Sequence, residues 1–258
     1  MAGDVCVGPT VGEPEVGGAN EGAAAGVHAT NRTSAGRSAL MPCIVPTAAS
    51  GGDVFSETER RGSTAGRLES QVVGKLIYSL NVSLDGFVET PEHSLDWATI
   101  DDELHQWFND RARSLSASLY GRRMYELMSA YWPTAGSDPA ATGVEREFSK
   151  IWLATPKTVF SSSLESVDWN SRLVRGDAGD EVARLKSEVE GDMDVGGATL
   201  AASLIRRGLV DEFQMLVHPV VLGAGTPFFP SLDEPLRLRL TDSRVFESGV
   251  TYLGYTRN

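Results

Sequence analysis

The sequence predicts an α/β domain of three layers, in which helices cover both faces of a mixed, mainly parallel sheet whose C-terminal strands run antiparallel. Three observations predict it. Strand-like and helix-like apolar periods alternate from residue 75 to residue 207. Strand-like runs then follow one another directly, with no helical period between 236–246 and 250–256. Nineteen of the 20 aromatic residues lie at or after residue 71, so that part of the chain owns the core.

The elements follow in order. Residues 75–82 alternate, with Leu76, Tyr78, Leu80 and Val82 on one face, which predicts a strand. Residues 101–115 place Leu104, Trp107, Phe108, Ala112 and Leu115 at helical spacing, and Asp101, Asp102 and Glu103 suit the helix start. Residues 116–120 form a short strand. Residues 122–132 set Met124, Leu127, Met128 and Tyr131 on one stripe, and Pro133 ends that helix. Val144, Phe148, Ile151 and Trp152 mark a helix over 144–153, and 157–161 a strand. Val182, Leu185 and Val189 mark the next helix, Met193–Val195 a brief strand, and 198–207 another helix. The run 211–222 is a strand, followed by the pair 236–246 and 250–256.

Upstream of this domain the composition changes. Residues 1–70 hold 12 of the 27 glycines and a single aromatic residue, Phe55. Such a stretch buries too little apolar surface to offset the entropy of ordering it. Residues 1–71 therefore read as a disordered leader and 72–258 as the folded domain. Two cysteines, Cys6 and Cys43, build neither a disulfide framework nor a four-ligand zinc site. The formal net charge of −12 disfavours nucleic acid as a partner. No run of about 18 apolar residues spans a membrane, and the leader lacks the basic start and unbroken apolar stretch of a secretory signal, so the expected location is the cytoplasm. His28, His93, His105 and His218 have no metal-ligand spacing, so no metal is expected.

Three loops lie where early strands end, the place at which open α/β sheets bind ligands. In the first, Gly121-Arg122-Arg123 opens a helix. Cations there oppose the helix dipole by about 0.3–1 kcal/mol each unless an anion binds. Solvated arginines paired with nearby carboxylates are the competing reading. In the second, Gly196-Gly197-Ala198-Thr199 leads from a strand into a helix, where bare backbone N–H groups suit a pyrophosphate or where glycine serves only a tight turn. In the third, Ser161 and Ser162 follow a strand and either bind a ribose or phosphate or cap a turn. Three anion-tolerant loops on one edge favour a long anionic ligand such as a dinucleotide.

At these residues the sequence resembles the dihydrofolate-reductase-like superfamily, in particular the reductase domain of the bifunctional deaminase-reductase of riboflavin biosynthesis and its stand-alone relatives. The matching segments are Ser83-Leu84-Asp85-Gly86, Gly121-Arg122-Arg123, the serines after 157–161, Asp168-Trp169-Asn170, Gly196 to Glu212 and Pro219 to Phe229. They recur in order across 75–257. The resemblance implies a dihydrofolate-reductase-like fold, NADPH as hydride donor and a homodimer paired through the C-terminal strands. It implies that Gly121 and Arg122 touch the phosphates, that Arg123 reaches the 2′-phosphate and that Ser161 and Ser162 flank the adenosine ribose. Gly196, Gly197, Ala198 and Thr199 then hold the pyrophosphate, and the segment from Asn81 to Val88, with Asn81, Ser83 and Phe87, lines the substrate cleft.

Three departures accompany the resemblance. Phe87 stands where many members carry a basic residue, Val195 where the riboflavin enzyme tends to have Glu, and Ser162 where relatives often have Arg. The implied reaction is hydride transfer to a C=N or C=O of a pterin or ribosylaminopyrimidine-like substrate, with 5-amino-6-(5-phosphoribosylamino)uracil reduction or dihydrofolate reduction as its forms. Asp85 is the expected proton donor, ahead of Asp102 and Glu103. The alternative is a module that binds a dinucleotide or small ligand without turnover.

Overall fold

The computed structural model describes residues 74–258. The leader, Cys6, Cys43 and His28 lie outside the described residues.

The central strand β1 (Leu76–Ser83) is buried along its whole length. Its two faces feed two cores. Ile77 packs with the helices α1 (Asp102–Ala112), α2 (Arg122–Ala135) and α3 (Gly143–Ala154), through Trp107, Phe108, Met128, Trp132, Phe148 and Trp152. Leu76, Tyr78, Leu80 and Val82 face the other side, the face their alternation predicts, against α4 (Ala178–Glu188) and α5 (Ala198–Arg206). The domain is therefore three-layered, as the periods predict.

β3 (Ala117–Gly121), β4 (Lys157–Phe160), β5 (Ser171–Val174), β6 (Met193–Gly196), β7 (Glu212–His218), β9 (Leu238–Val245) and β10 (Thr251–Arg257) complete an eight-stranded sheet ordered β5-β4-β3-β6-β1-β7-β10-β9. β1 pairs in parallel with β6 and β7, and β3 in parallel with β4 and β6. β10 runs antiparallel to both β7 and β9. The loops after β1, β6, β3 and β4 thus share one edge. A two-stranded ribbon, β2 (Phe87–Glu89) with β8 (Thr226–Pro227), stands beside it. The sheet face carrying Met215, Val217, Leu253 and Tyr255 is half-exposed, and Leu240 and Val245 lie open beside it.

Several expected boundaries move for physical reasons. Pro133 does not end α2, which continues to Ala135. A proline in the last turn removes a single N–H→C=O bond and leaves only two helical residues after it to be displaced. The turn is closed from outside: the Ser149 hydroxyl donates to the Trp132 carbonyl (2.8 Å) and accepts from the Gly136 N–H (3.2 Å). The expected strand 211–222 stops at His218, because Pro219 has no N–H for the ladder. β5 is an edge strand with only Leu173 and Val174 apolar, too weak a pattern to read. Asp168-Trp169-Asn170 turns out to build the entry to β5: Trp169 and Asn170 are both left-handed (φ 61° and 55°), and the Asn170 amide donates to the last α3 carbonyl, Ala154 (2.7 Å).

His105 on α1 is buried against Trp132 and Phe148. Burial pulls its pKa down to about 4, against the opposing pull of Glu145, Asp102 and Glu147. The unfolded chain therefore binds this proton before the folded one does. Stability from His105 is complete above pH 6.5 and is lost as the pH falls towards 4. His105→Leu should gain on the wild type by about 1.4 kcal/mol per pH unit as the pH is lowered through that window. Parallel pH profiles in urea denaturation would refute this.

Candidate functional site

A cavity of about 530 Å³ opens at the shared strand edge, over the ends of β1, β6 and β3. Two helix starts face it. Gly121 precedes α2 and Gly197 precedes α5, and neither helix has a side-chain cap or an acidic residue in its first turn. The other three described helices are capped by their own side chains: Asp101 on α1, Thr142 with Glu145 on α3, and Asp177 on α4. The first N–H groups of a helix need partners, so the two starts at the cavity are the ones left open to a bound anion.

The glycines are there for space and backbone angle. Gly197 has φ +99°, which disfavours any side chain. A Cβ on Gly196 would sit 2.9 Å from the Tyr120 ring and 3.1 Å from Met124. The α2 stripe divides between two duties. Tyr125, Met128 and Trp132 are buried in the core, whereas Met124 and Leu127 line the cavity.

Of the residues singled out from sequence, the cavity brings together Asn81, Gly121, Arg122, Arg123, Gly196, Gly197, Ala198 and Thr199. Asn81 is buried on β1 and its Oδ1 lies 2.9 Å from Nε2 of His218. Burial draws the His218 pKa down to about 4, so the ring is neutral near pH 7. Arg122 is half-exposed and loosely paired with Glu126 (3.5 Å).

Arg123 is committed elsewhere than expected. It is ion-paired with Glu89, a cavity-lining carboxylate that is only 5% exposed.

Asp85, Ser83, Phe87, Ser161, Ser162 and Glu103 lie outside the lining. Asp85 is exposed, accepts from the Ser83 hydroxyl (2.6 Å) and from the N–H groups of Leu222 (3.1 Å) and Gly223 (2.7 Å), and these bonds lower its pKa. It clamps two loops together; a carboxyl held ionised in that way is a poor proton donor. Ser83 also accepts from the Phe87 N–H (2.9 Å), closing the same turn around Gly86 (φ +90°). Phe87 sits on β2 with its Cβ beside Gly225. The Ser161 hydroxyl accepts from the N–H groups of Ser163 (3.2 Å) and Leu164 (3.1 Å), the turn-capping alternative, and the Ser162 carbonyl accepts from Arg175 (3.1 Å). Glu103 is tied to Arg244 and to the Glu247 N–H, away from the cavity.

Sequence reasoning missed Glu89, Trp97 and the apolar residues Leu80, Leu95 and Leu200 of the lining. Trp97 packs edge-on against His218 (5.4 Å between centroids), and its indole N–H is buried with no hydrogen-bond partner among the described residues. No local motif marks either Glu89 or Trp97.

A mixed, mainly parallel sheet of this order with helices on both faces defines a dihydrofolate-reductase-like α/β fold. The family model of the RibD C-terminal domain matches residues 74–252, and the chain belongs to that family. Among its relatives is the uncharacterized protein YyaP of Bacillus subtilis, 34% identical over 185 residues, covering 71% of this chain and 95% of YyaP. Two solved structures share the fold. A protein from Shewanella sp. PV-4 provisionally assigned to riboflavin biosynthesis superposes with a TM-score of 0.57 at 20% identity, covering 72% of this chain and 99% of that one. Dihydrofolate reductase from Enterococcus faecalis, solved with NADP(H), superposes with a TM-score of 0.50 at 16% identity, covering 72% and 98%. Among the described residues no helix is long and apolar enough to cross a membrane, and no cluster of His, Cys, Asp and Glu suits a metal ion.

Proposed function

We propose that the chain is an NADPH-dependent reductase that delivers a hydride to a C=N or C=O of a small heterocycle, pterin- or ribosylaminopyrimidine-like. One observation carries the reading: the two described helices that lack a cap are the two that open onto the same cleft. The residues fit the coenzyme. The N–H groups at Gly197 and Ala198 and the half-exposed Arg122 suit a pyrophosphate, since neither start is blocked by a side chain of its own. When bound, the reduced nicotinamide supplies the hydride.

The chain supplies the rest. The apolar wall of Leu80, Val88, Leu95 and Leu127 excludes water from the reacting face. The Asn81 amide, steadied by His218, orients a polar ring edge. The proton is drawn from solvent, because Asp85 is clamped outside the cleft and Glu89 is bound to Arg123.

The test is a fluorescence titration with NADPH and NADH, followed by NADPH oxidation over a panel of pterins, aminopyrimidines and carbonyl compounds. Binding with turnover on one class supports the reading. Binding without turnover on every compound would favour a non-catalytic module, and absence of binding would end the reading.

We also propose that the half-exposed face of β7, β10 and β9 joins two copies into a homodimer in the cytoplasm. Leu240 and Val245, 51% and 71% exposed, are large apolar side chains on the edge strand β9, which unpartnered proteins avoid. A monomeric mass in light scattering at micromolar concentration would contradict it.

A further inference from the structure

We infer that Glu89 sets the charge of the ligand the cavity accepts: by holding Arg123 it leaves the β2 end of the cleft without an uncommitted cation, and so favours an unphosphorylated ring over its phosphate ester. The inference rests on the reading of the cleft as a reductase site.

Glu89 is a carboxylate buried in a cavity wall, and three side chains account for it. Arg123 pairs with one oxygen. His93 Nδ1 (2.9 Å) and the Thr226 hydroxyl (2.6 Å) meet the other. The backbone is fixed as well, since a Cβ on Gly225 would lie 1.9 Å from the Glu89 carbonyl oxygen and β2 and β8 touch there without a side chain between them. His93 takes a left-handed backbone (φ 64°) in a turn closed by its N–H to the Thr90 carbonyl (2.9 Å), and that turn aims its ring back at Glu89.

The charges around the cleft therefore cancel in pairs, Arg123 with Glu89 and Arg122 with Glu126. The two pairs differ in kind. Arg122 and Glu126 are both half-exposed and 3.5 Å apart, a loose contact that a phosphate can displace. Glu89 lies at the bottom of its pair with a 7% exposed side chain, where removing its counter-charge would leave a buried anion. A phosphate group reaching the β2 end would meet that anion through a guanidinium already engaged. An uncharged ring meets the apolar wall of Leu80, Val88, Leu95, Leu127 and Trp97, with the Asn81 amide beside it.

The experiment is calorimetric titration of the full chain with 6-(ribosylamino)uracil and with its 5′-phosphate, for the wild type, Glu89→Gln and Glu89→Gln/Arg123→Ala. The wild type should bind the unphosphorylated ring at least as tightly as the phosphate. Glu89→Gln should move the affinity ratio towards the phosphate by about tenfold or more, because Arg123 becomes free for a charge-assisted bond. The added Arg123→Ala should abolish that gain, which a general disturbance of the fold would not do. A wild type that prefers the phosphate by about tenfold, a wild type that binds neither ring, or a ratio unmoved in Glu89→Gln each overturns the inference. If Glu89→Gln does not fold, the wild-type ratio alone decides. Quenching of tryptophan fluorescence by NADPH, read on the same samples, separates the two failures. Intact quenching with the wrong ratio removes this inference alone, and absent quenching removes the reductase reading.

Discussion

Trp132→Ala should lower the unfolding free energy by about 3–5 kcal/mol, the range for deleting a fully buried large aromatic side chain. Trp132 has no exposed surface, and its ring lies 4.5 Å from Phe148, 4.8 Å from Tyr131 and 6.1 Å from His105. It ties α2 to α1 and α3 at once, so no single neighbour can move into the hole. Urea denaturation followed by circular dichroism measures the loss. A change below about 1 kcal/mol would mean that the three helices collapse onto the gap, well short of the cavity cost assumed here.

The second large effect concerns the coenzyme. Arg122→Glu should weaken NADPH binding by at least about tenfold to a hundredfold. One charge-assisted hydrogen bond contributes about 1.5–3 kcal/mol, and the introduced carboxylate adds repulsion. Arg122 is half-exposed at the start of α2, so the variant should keep its fold, and the loss should appear in coenzyme affinity with little change in melting temperature. Unchanged affinity in a fluorescence titration would remove Arg122 from the site.

The layers were legible because burial writes a period into sequence. Leu76, Tyr78, Leu80 and Val82 share a face as their spacing predicts, and Asp101 caps α1. What escaped was decided by partners distant in sequence. β5 has a weak pattern because it is an edge strand, and β2 and β8 are three and two residues long. The cleft loops at Gly121 and Gly196 were visible through glycine and charge at strand ends. The Asp85 role was not, since its carboxylate answers amides 137 and 138 positions away. The Arg123 ion pair was hidden for the same reason: its partner Glu89 sits on a ribbon the periodicity does not show.

The middle of the sheet is occupied by its first strand, and both neighbours of that strand arrive late. Leu76 lies opposite Met193 and Ile77 opposite Glu212, 117 and 135 positions further on. Loop closure over such spans must precede any reward from pairing, so this topology belongs among the slow folders. A nascent or truncated chain that stops before residue 212 leaves the most apolar ribbon of the protein waiting with one flank bare, ready to be captured by another copy. The emergence of β7 is then the moment at which the central strand gains its second neighbour.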